Sequence, residues 1–364
     1  MKRSKLNILL IILISIIHIG ITAQTKNIKL DNKNIYVAGA NYVNASAKQL
    51  HYSRFSEATL KAPRQETMFM PKKAMTTSGV KIRFKTNSSK VKLTFTPLEG
   101  DNRGSEFAVL QNGETLEKFD FKGQSGKADM RFDIINRYPN KETLFEVVLP
   151  SWANPALTGM QIDMDSELVN IKETRKPIYL ALGNSITHGV GQGSASYLSY
   201  PYLLAQKLDI EYYNLAVGGA KISPAIAAQT AEMPQADIIT ILIGYNGMAF
   251  SNKTPEEYRN DYISYLSEIR KNQPQATIYC ISLTHTKFVK NEKTGATPQD
   301  FRMTLESLVK ERIADGDKKL VFIDGKSITS VANLRADQPK DLVHFGIEGA
   351  ALFADELYQI ISNR

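Results

Sequence analysis

The chain has 364 residues, 43 % apolar and 23 % charged, with a formal net charge of +8. That composition excludes a disordered chain, a coiled coil and a polytopic membrane protein, and the length suggests two or three domains. Lys2, Arg3 and Lys5 carry part of the excess charge, and seven further Lys/Arg without an acid lie between Lys72 and Lys92. No basic face of the kind a nucleic-acid partner needs is left.

The first element is a targeting signal. A positive start is followed by an almost wholly aliphatic run from Leu6 to Ile21, which ends at the small residues Thr22-Ala23. This predicts a signal peptide over residues 1–23, cleaved near Ala23 or Gln24. The alternative is an uncleaved anchor, but a run of about 16–17 residues is short for spanning a bilayer. The expectation is export to a bacterial periplasm, the cell surface or the medium, with no stable membrane anchor after cleavage. Cys280 is the only cysteine, so no intrachain disulfide can form and the core must hold the fold.

Residues 24–170 read as all-β. Val80–Lys85 and Val91–Thr96 alternate apolar and polar residues, as half-buried antiparallel strands do. The basic residues from Lys72 onward then read as the wet face of those strands. Phe107–Leu110 and Thr115–Phe119 flank Asn112-Gly113 and predict a hairpin. Leu144–Leu149 is a further strand. The spacing points to a β-sandwich or jelly roll.

Residues 171–364 change period. Ile178–Leu182, Tyr212–Val217, Ile238–Ile243, Thr277–Ile281 and Leu320–Ile323 are apolar strands separated by amphipathic stretches. Thr254-Pro255-Glu256-Glu257 and Thr297-Pro298-Gln299-Asp300 are helix starts, each with a cap, a proline at the first turn and an acid three residues after the cap. A last helix is expected over about 347–361. Strands apolar on both faces with helical crossovers imply a five-stranded parallel sheet covered on both sides, a flavodoxin-like α/β/α layout.

In such sheets, sites form beyond the carboxyl ends of the strands. Gly183-Asn184-Ser185 follows the first strand, Gly218-Gly219 the second and Gly244-Tyr245-Asn246-Gly247 the third, while Asp341-Leu342-Val343-His344 precedes the last helix. A serine hydroxyl needs a base to become a nucleophile. Ser185 can be that nucleophile, His344 its base, and Asp341 the carboxylate that fixes the imidazole tautomer. An acyl-transfer oxyanion needs fixed donors, which Ser185 N–H, Gly219 N–H and the Asn246 carboxamide can supply.

These four ordered blocks resemble the SGNH (GDSL-like) hydrolase family over about residues 176–364. Ser185, Gly219 five residues after Asn214, Asn246, and Asp341 with His344 match its motifs. The sequence departs from the usual pattern at Asn184, Ala216, Tyr245, Gly247 and Phe345-Gly346, none of which removes a reacting group. Tyr245 is placed to shape the acyl pocket. The sandwich-then-hydrolase order resembles two-domain carbohydrate esterases, including acetylxylan-esterase-like members. The resemblance therefore implies a secreted serine esterase acting on acylated, chiefly acetylated, carbohydrate. A lipase, lysophospholipase or thioesterase of the same family is the alternative, and a non-catalytic glycan-binding module is a third reading.

Other residues compete for attention. His188 and His285 are rival bases, and His285 also reads as a substrate contact. Gly189–Gly193 lacks the Gly-Lys-Ser/Thr of a phosphate loop and reads as a rim. Trp152, the only tryptophan, is a plug between domains or a platform for a sugar ring. Cys280 reads as core. The histidines show no metal-ligand spacing, and no cofactor or metal is expected.

Overall fold

The computed structural model describes residues 24–363 except 125, 139, 173, 174 and 194, so the signal peptide expected over 1–23 lies outside the described residues. Two antiparallel six-stranded sheets come first. One runs Tyr42–Ser46, Gln49–Ser53, Pro155–Asp163, Lys90–Pro97, Met130–Ile135, with Thr25–Asn27 also on Pro155–Asp163. The other runs Leu168–Val169, Lys81–Thr86, Thr143–Val148, Glu106–Gln111, Thr115–Asp120, with Ile35–Ala38 also on Lys81–Thr86. Alternate residues of Lys81–Thr86 and Lys90–Pro97 are buried, as their period demands. They meet in an aromatic core in which Phe95 lies 4.7 Å from Phe107 and Phe84 lies 5.2 Å from Phe145. The Asn112-Gly113 hairpin forms, both residues taking positive φ (52° and 75°).

The basic stretch differs from expectation. Lys72 and Lys73 lie on a short helix, Pro71–Ala74, not on a strand. Lys81 and Arg83 are not freely solvated: both side chains are partly covered, line a cleft, and reach the Glu146 carboxylate at 3.0 and 3.3 Å. A charge run on a strand becomes an ion-pair cluster when another element partly covers its polar face, which strand periodicity alone does not reveal.

The third sheet is parallel throughout, in the order Glu211–Asn214, Ile178–Gly183, Ile238–Leu242, Thr277–Ile281, Leu320–Ile323. This is the flavodoxin-like order, with the reversal beside the first strand. Helices Pro255–Asn272 and Pro298–Ala314 both begin with the expected capping boxes. Tyr258, Tyr262, Tyr265, Leu266 and Ile269 of the first form its buried stripe. Helix Ile347–Ser362 ends the fold. The second strand runs Glu211–Asn214, and the N–H groups of Leu215 and Val217 continue its pairing onto the Ala181 and Gly183 carbonyls (2.9 and 3.3 Å), toward the expected end at Val217.

Three short helices, Glu57–Lys61, Arg64–Thr67 and Pro71–Ala74, interrupt the first domain. Helix periodicity was not visible there because four or five residues are too few to show it. The polypeptide on either side of them bonds directly to the second domain: Arg54 reaches the Asn214 and Ala216 carbonyls, and Ser78 donates to the His188 carbonyl.

Candidate active site

The first strand of the parallel sheet delivers Ser185 as the opening residue of a one-turn helix, Ser185–His188, with Asn184 as its cap. The Ser185 hydroxyl lies 2.7 Å from His344 Nε2. On the other side of the ring, Nδ1 lies 2.9 and 3.0 Å from the two Asp341 oxygens. That carboxylate also accepts the backbone N–H groups of His344 and Val343, at 3.1 and 3.2 Å. Burial opposes its charge, but these N–H groups and the imidazole outweigh burial and hold the Asp341 carboxyl below its ordinary range. An ionised carboxylate on Nδ1 fixes the proton there and leaves Nε2 bare toward the serine.

The histidine loop is anchored locally. Arg335 N–H donates to the His344 carbonyl (3.1 Å), and Phe345, fully buried, packs edge-on against Phe353 of the last helix at 5.2 Å.

Gly219 takes φ +81°, a left-handed conformation suited to glycine. Among the described residues neither Gly219 N–H nor Ser185 N–H has an acceptor. Asn246, on the first turn of helix Tyr245–Ser251, spends one Nδ2 hydrogen on the Ala220 carbonyl (2.9 Å) and so is tied to the Gly219 turn. Its second hydrogen remains available.

The structure thus joins Ser185, His344 and Asp341 in one hydrogen-bonded line and ties Asn246, on its helix, to the turn that carries Gly219. Tyr245 is largely buried and lines a void of about 10 Å³ with Asn184, Ile186, Thr284 and Val343, residues flanking the line. The Thr284 hydroxyl there is buried without a partner. His285 is half-buried on the loop after the fourth strand, its N–H on Thr329 Oγ1 (2.8 Å). The same loop is fastened to the histidine loop by Thr286, whose hydroxyl donates to the Leu342 carbonyl (2.8 Å). His188 is fully buried and turned to other partners: Nδ1 accepts Gly218 N–H (2.9 Å) and Nε2 lies 2.8 Å from Thr76 Oγ1. Cys280 is buried in the sheet, and burial pushes its thiol up to about 12. Among the described residues no cluster of His, Cys, Asp and Glu is placed to hold a metal ion, and no helix is long and apolar enough to cross a membrane.

Trp152 is not a sugar platform. Its indole stacks on His188 at 3.9 Å between centroids, and the Arg103 guanidinium lies 4.3 Å over the ring. With 4 % of the residue exposed, no face is left for a ligand.

Arg54 had no signal in the sequence. It is 1 % exposed, and its guanidinium donates to the carbonyls of Thr76 (2.6 Å), Asn214 (2.6 Å) and Ala216 (2.8 Å). An arginine in a strand-turn segment reads as surface until long-range partners are known.

The GDSL-like Lipase/Acylhydrolase family model matches residues 181–352. No curated protein matches the chain. Among solved structures, a salicylyl-acyltransferase from a tetracycline biosynthetic pathway is similar, with 18 % identity, TM-score 0.78, and coverage of 93 % of this chain and 97 % of that one. A protein of Bacteroides ovatus described as a GDSL-like lipase gives 16 % identity, TM-score 0.72 and coverage of 93 % and 98 %. An acetyl xylan esterase from the rumen bacterium Butyrivibrio proteoclasticus gives 14 % identity, TM-score 0.63 and coverage of 93 % and 98 %. The domain over residues 181–352 belongs to the GDSL-like (SGNH) hydrolase family, an N-terminal β-sandwich domain precedes it, and the chain as a whole resembles the two-domain carbohydrate esterases in fold.

Proposed function

We propose that this protein is an exported serine esterase that removes short acyl groups, acetyl foremost, from carbohydrate. The observation that carries the reading is the unbroken line from Ser185 Oγ through His344 to Asp341. In the proposed reaction His344 Nε2 takes the Ser185 proton as Oγ attacks the ester carbonyl. The oxyanion is met by the N–H groups of Ser185 and Gly219 and by Asn246 Nδ2. His344 then protonates the departing sugar oxygen, and the same imidazole activates the water that hydrolyses the acyl-serine. Asp341 stays ionised and balances the imidazolium.

Family membership supports serine-type hydrolysis, and the likeness to an acetyl xylan esterase supports an acylated carbohydrate as substrate. The small void that Tyr245 lines together with Asn184, Ile186 and Val343, the chain neighbours of Ser185 and His344, is in keeping with a short acyl group. The aliphatic leader supports export.

The test is acetate release from acetylated plant and bacterial polysaccharides, with a nitrophenyl ester series from acetate to octanoate, run on the wild type and Ser185→Ala. A maximum at acetate, abolished in the variant, is expected. A rise toward octanoate transfers the assignment to lipid esters, and hydrolysis surviving in Ser185→Ala removes the nucleophile.

A further inference from the structure

The proposed mechanism leaves two features unused: a fully buried histidine three residues after the nucleophile, and a tryptophan covered on both faces. Both touch the turn that carries Gly219, and their remaining partners come from the β-sandwich.

The proton positions on this network follow from its partners. The Thr76 hydroxyl donates to the Lys73 carbonyl (2.8 Å), so it accepts from His188 Nε2–H. Nδ1 is then bare and accepts Gly218 N–H at 2.9 Å. His188 is therefore a neutral imidazole with its proton on Nε2. Burial and, after it, the nearby charges of Arg54, Arg103 and Lys73 keep it neutral, pushing its pKa well below the ordinary value. A protonated ring would aim a second N–H at Gly218.

The turn is pinned from three directions. His188 holds the first of two consecutive glycine N–H groups. Arg54 holds the carbonyls of Asn214 and Ala216, at the start of the same segment. Trp152 fills the space under Gly218 so closely that a Cβ there would meet Cη2 at 2.1 Å. Trp152 is itself fixed in a left-handed backbone conformation (φ 61°), its carbonyl accepting the N–H groups of Arg103 and Gly104 at 2.8 Å each. With Gly218 N–H consumed by the imidazole, the only unspent donor of the pair is Gly219 N–H.

We infer that the β-sandwich is a fixed wall of the active site: Thr76 through His188, and Arg54 and Trp152 directly, hold the Gly218-Gly219 turn with Gly219 N–H aimed at the oxyanion. His188 is thus a positioning residue for the transition state and makes no contact with substrate. The inference rests on the proposed role of Gly219 and would be lost with it. A wild-type protein that hydrolyses no ester defeats the proposed function, whereas an active wild type with indifferent His188 variants defeats this inference alone.

The experiment measures kcat and KM on nitrophenyl acetate for the full chain and three variants, each checked for a cooperative thermal transition. His188→Phe keeps a ring against Trp152 but removes the acceptor. Its kcat should fall about 10- to 100-fold with KM changed by less than about threefold, because the turn acts on charge that develops after binding. His188→Asn places a carboxamide oxygen near the Nδ1 position and should recover most of that loss. Thr76→Val removes the partner that holds the proton on Nε2, and it tests the same point if the ring variant does not fold. It should lower kcat about tenfold at constant KM. Wild-type kcat in either folded variant, or His188→Asn no better than His188→Phe, overturns the inference.

Discussion

The two walls of the candidate active site are held in different ways. The histidine wall, residues 334–346, is built mainly by neighbours, with Thr286 and Gln192 adding bonds to the Leu342 and Phe345 carbonyls from farther away. Asp341 bonds the imidazole and backbone of His344 three residues on, and Phe345 docks on the helix that follows. The glycine wall, residues 214–220, is built from afar: Arg54 is 160 positions from Asn214, Thr76 is 112 from His188, and Trp152 lies under Gly218. The Asp341–His344 pair of the first wall closes within three residues of chain. The second wall exists only when two domains are docked.

Several changes break or sharpen that contrast. Ser185→Ala, between the walls, should cost at least about 10⁴-fold in kcat without lowering thermal stability, since removing a nucleophile disables the whole constellation. Steady-state kinetics beside a melting curve reads both. Asp341→Asn should cost about 10³- to 10⁴-fold in kcat, because an amide does not secure the tautomer.

The same residue gives a pH signature. Its folded pKa is depressed, so its contribution to stability is fully present above the unfolded carboxylate value near 3.9 and is lost as pH falls through the lower folded value. Acid unfolding curves of wild type and Asp341→Asn should therefore converge below about pH 3.9 and separate above it.

Asn246→Ala, on the glycine wall, should lower kcat about 10²- to 10³-fold with a smaller change in KM, the usual consequence of losing one oxyanion donor. It also frees the Ala220 carbonyl, so a loss at the upper end of that range is expected. The smallest effect concerns selectivity. Tyr245→Ala enlarges the void beside the line, and the butyrate-to-acetate ratio of kcat/KM should rise about tenfold, the scale set by one or two methylenes in an apolar pocket. An unchanged ratio would show that Tyr245 does not bound the acyl group.

What could be read in advance follows the same division. The strands, the two capping boxes and the Asn-Gly hairpin were legible because each is specified within a few residues. Ser185, Gly219 and Asn246 stand out because strand ends converge by topology, so a residue's place after a strand already gives its address, and Asp341 and His344 stand out by their three-residue spacing just before the last helix. The ion pairing of Lys81 and Arg83 with Glu146 is not legible in sequence because how far a polar strand face is covered depends on what packs over it. Trp152 is ambiguous in sequence because its role is set by His188 and Arg103, which pack on its ring from distant parts of the chain.

The amino-acid order alone determined the period of each element, the parallel sheet and its strand-end residues, since hydrophobic alternation and capping act over one or two turns of chain. Only the tertiary structure decided what His188, Trp152 and Arg54 do. Their partners lie in another domain, and a buried polar group takes its meaning from whichever donors and acceptors packing brings within reach.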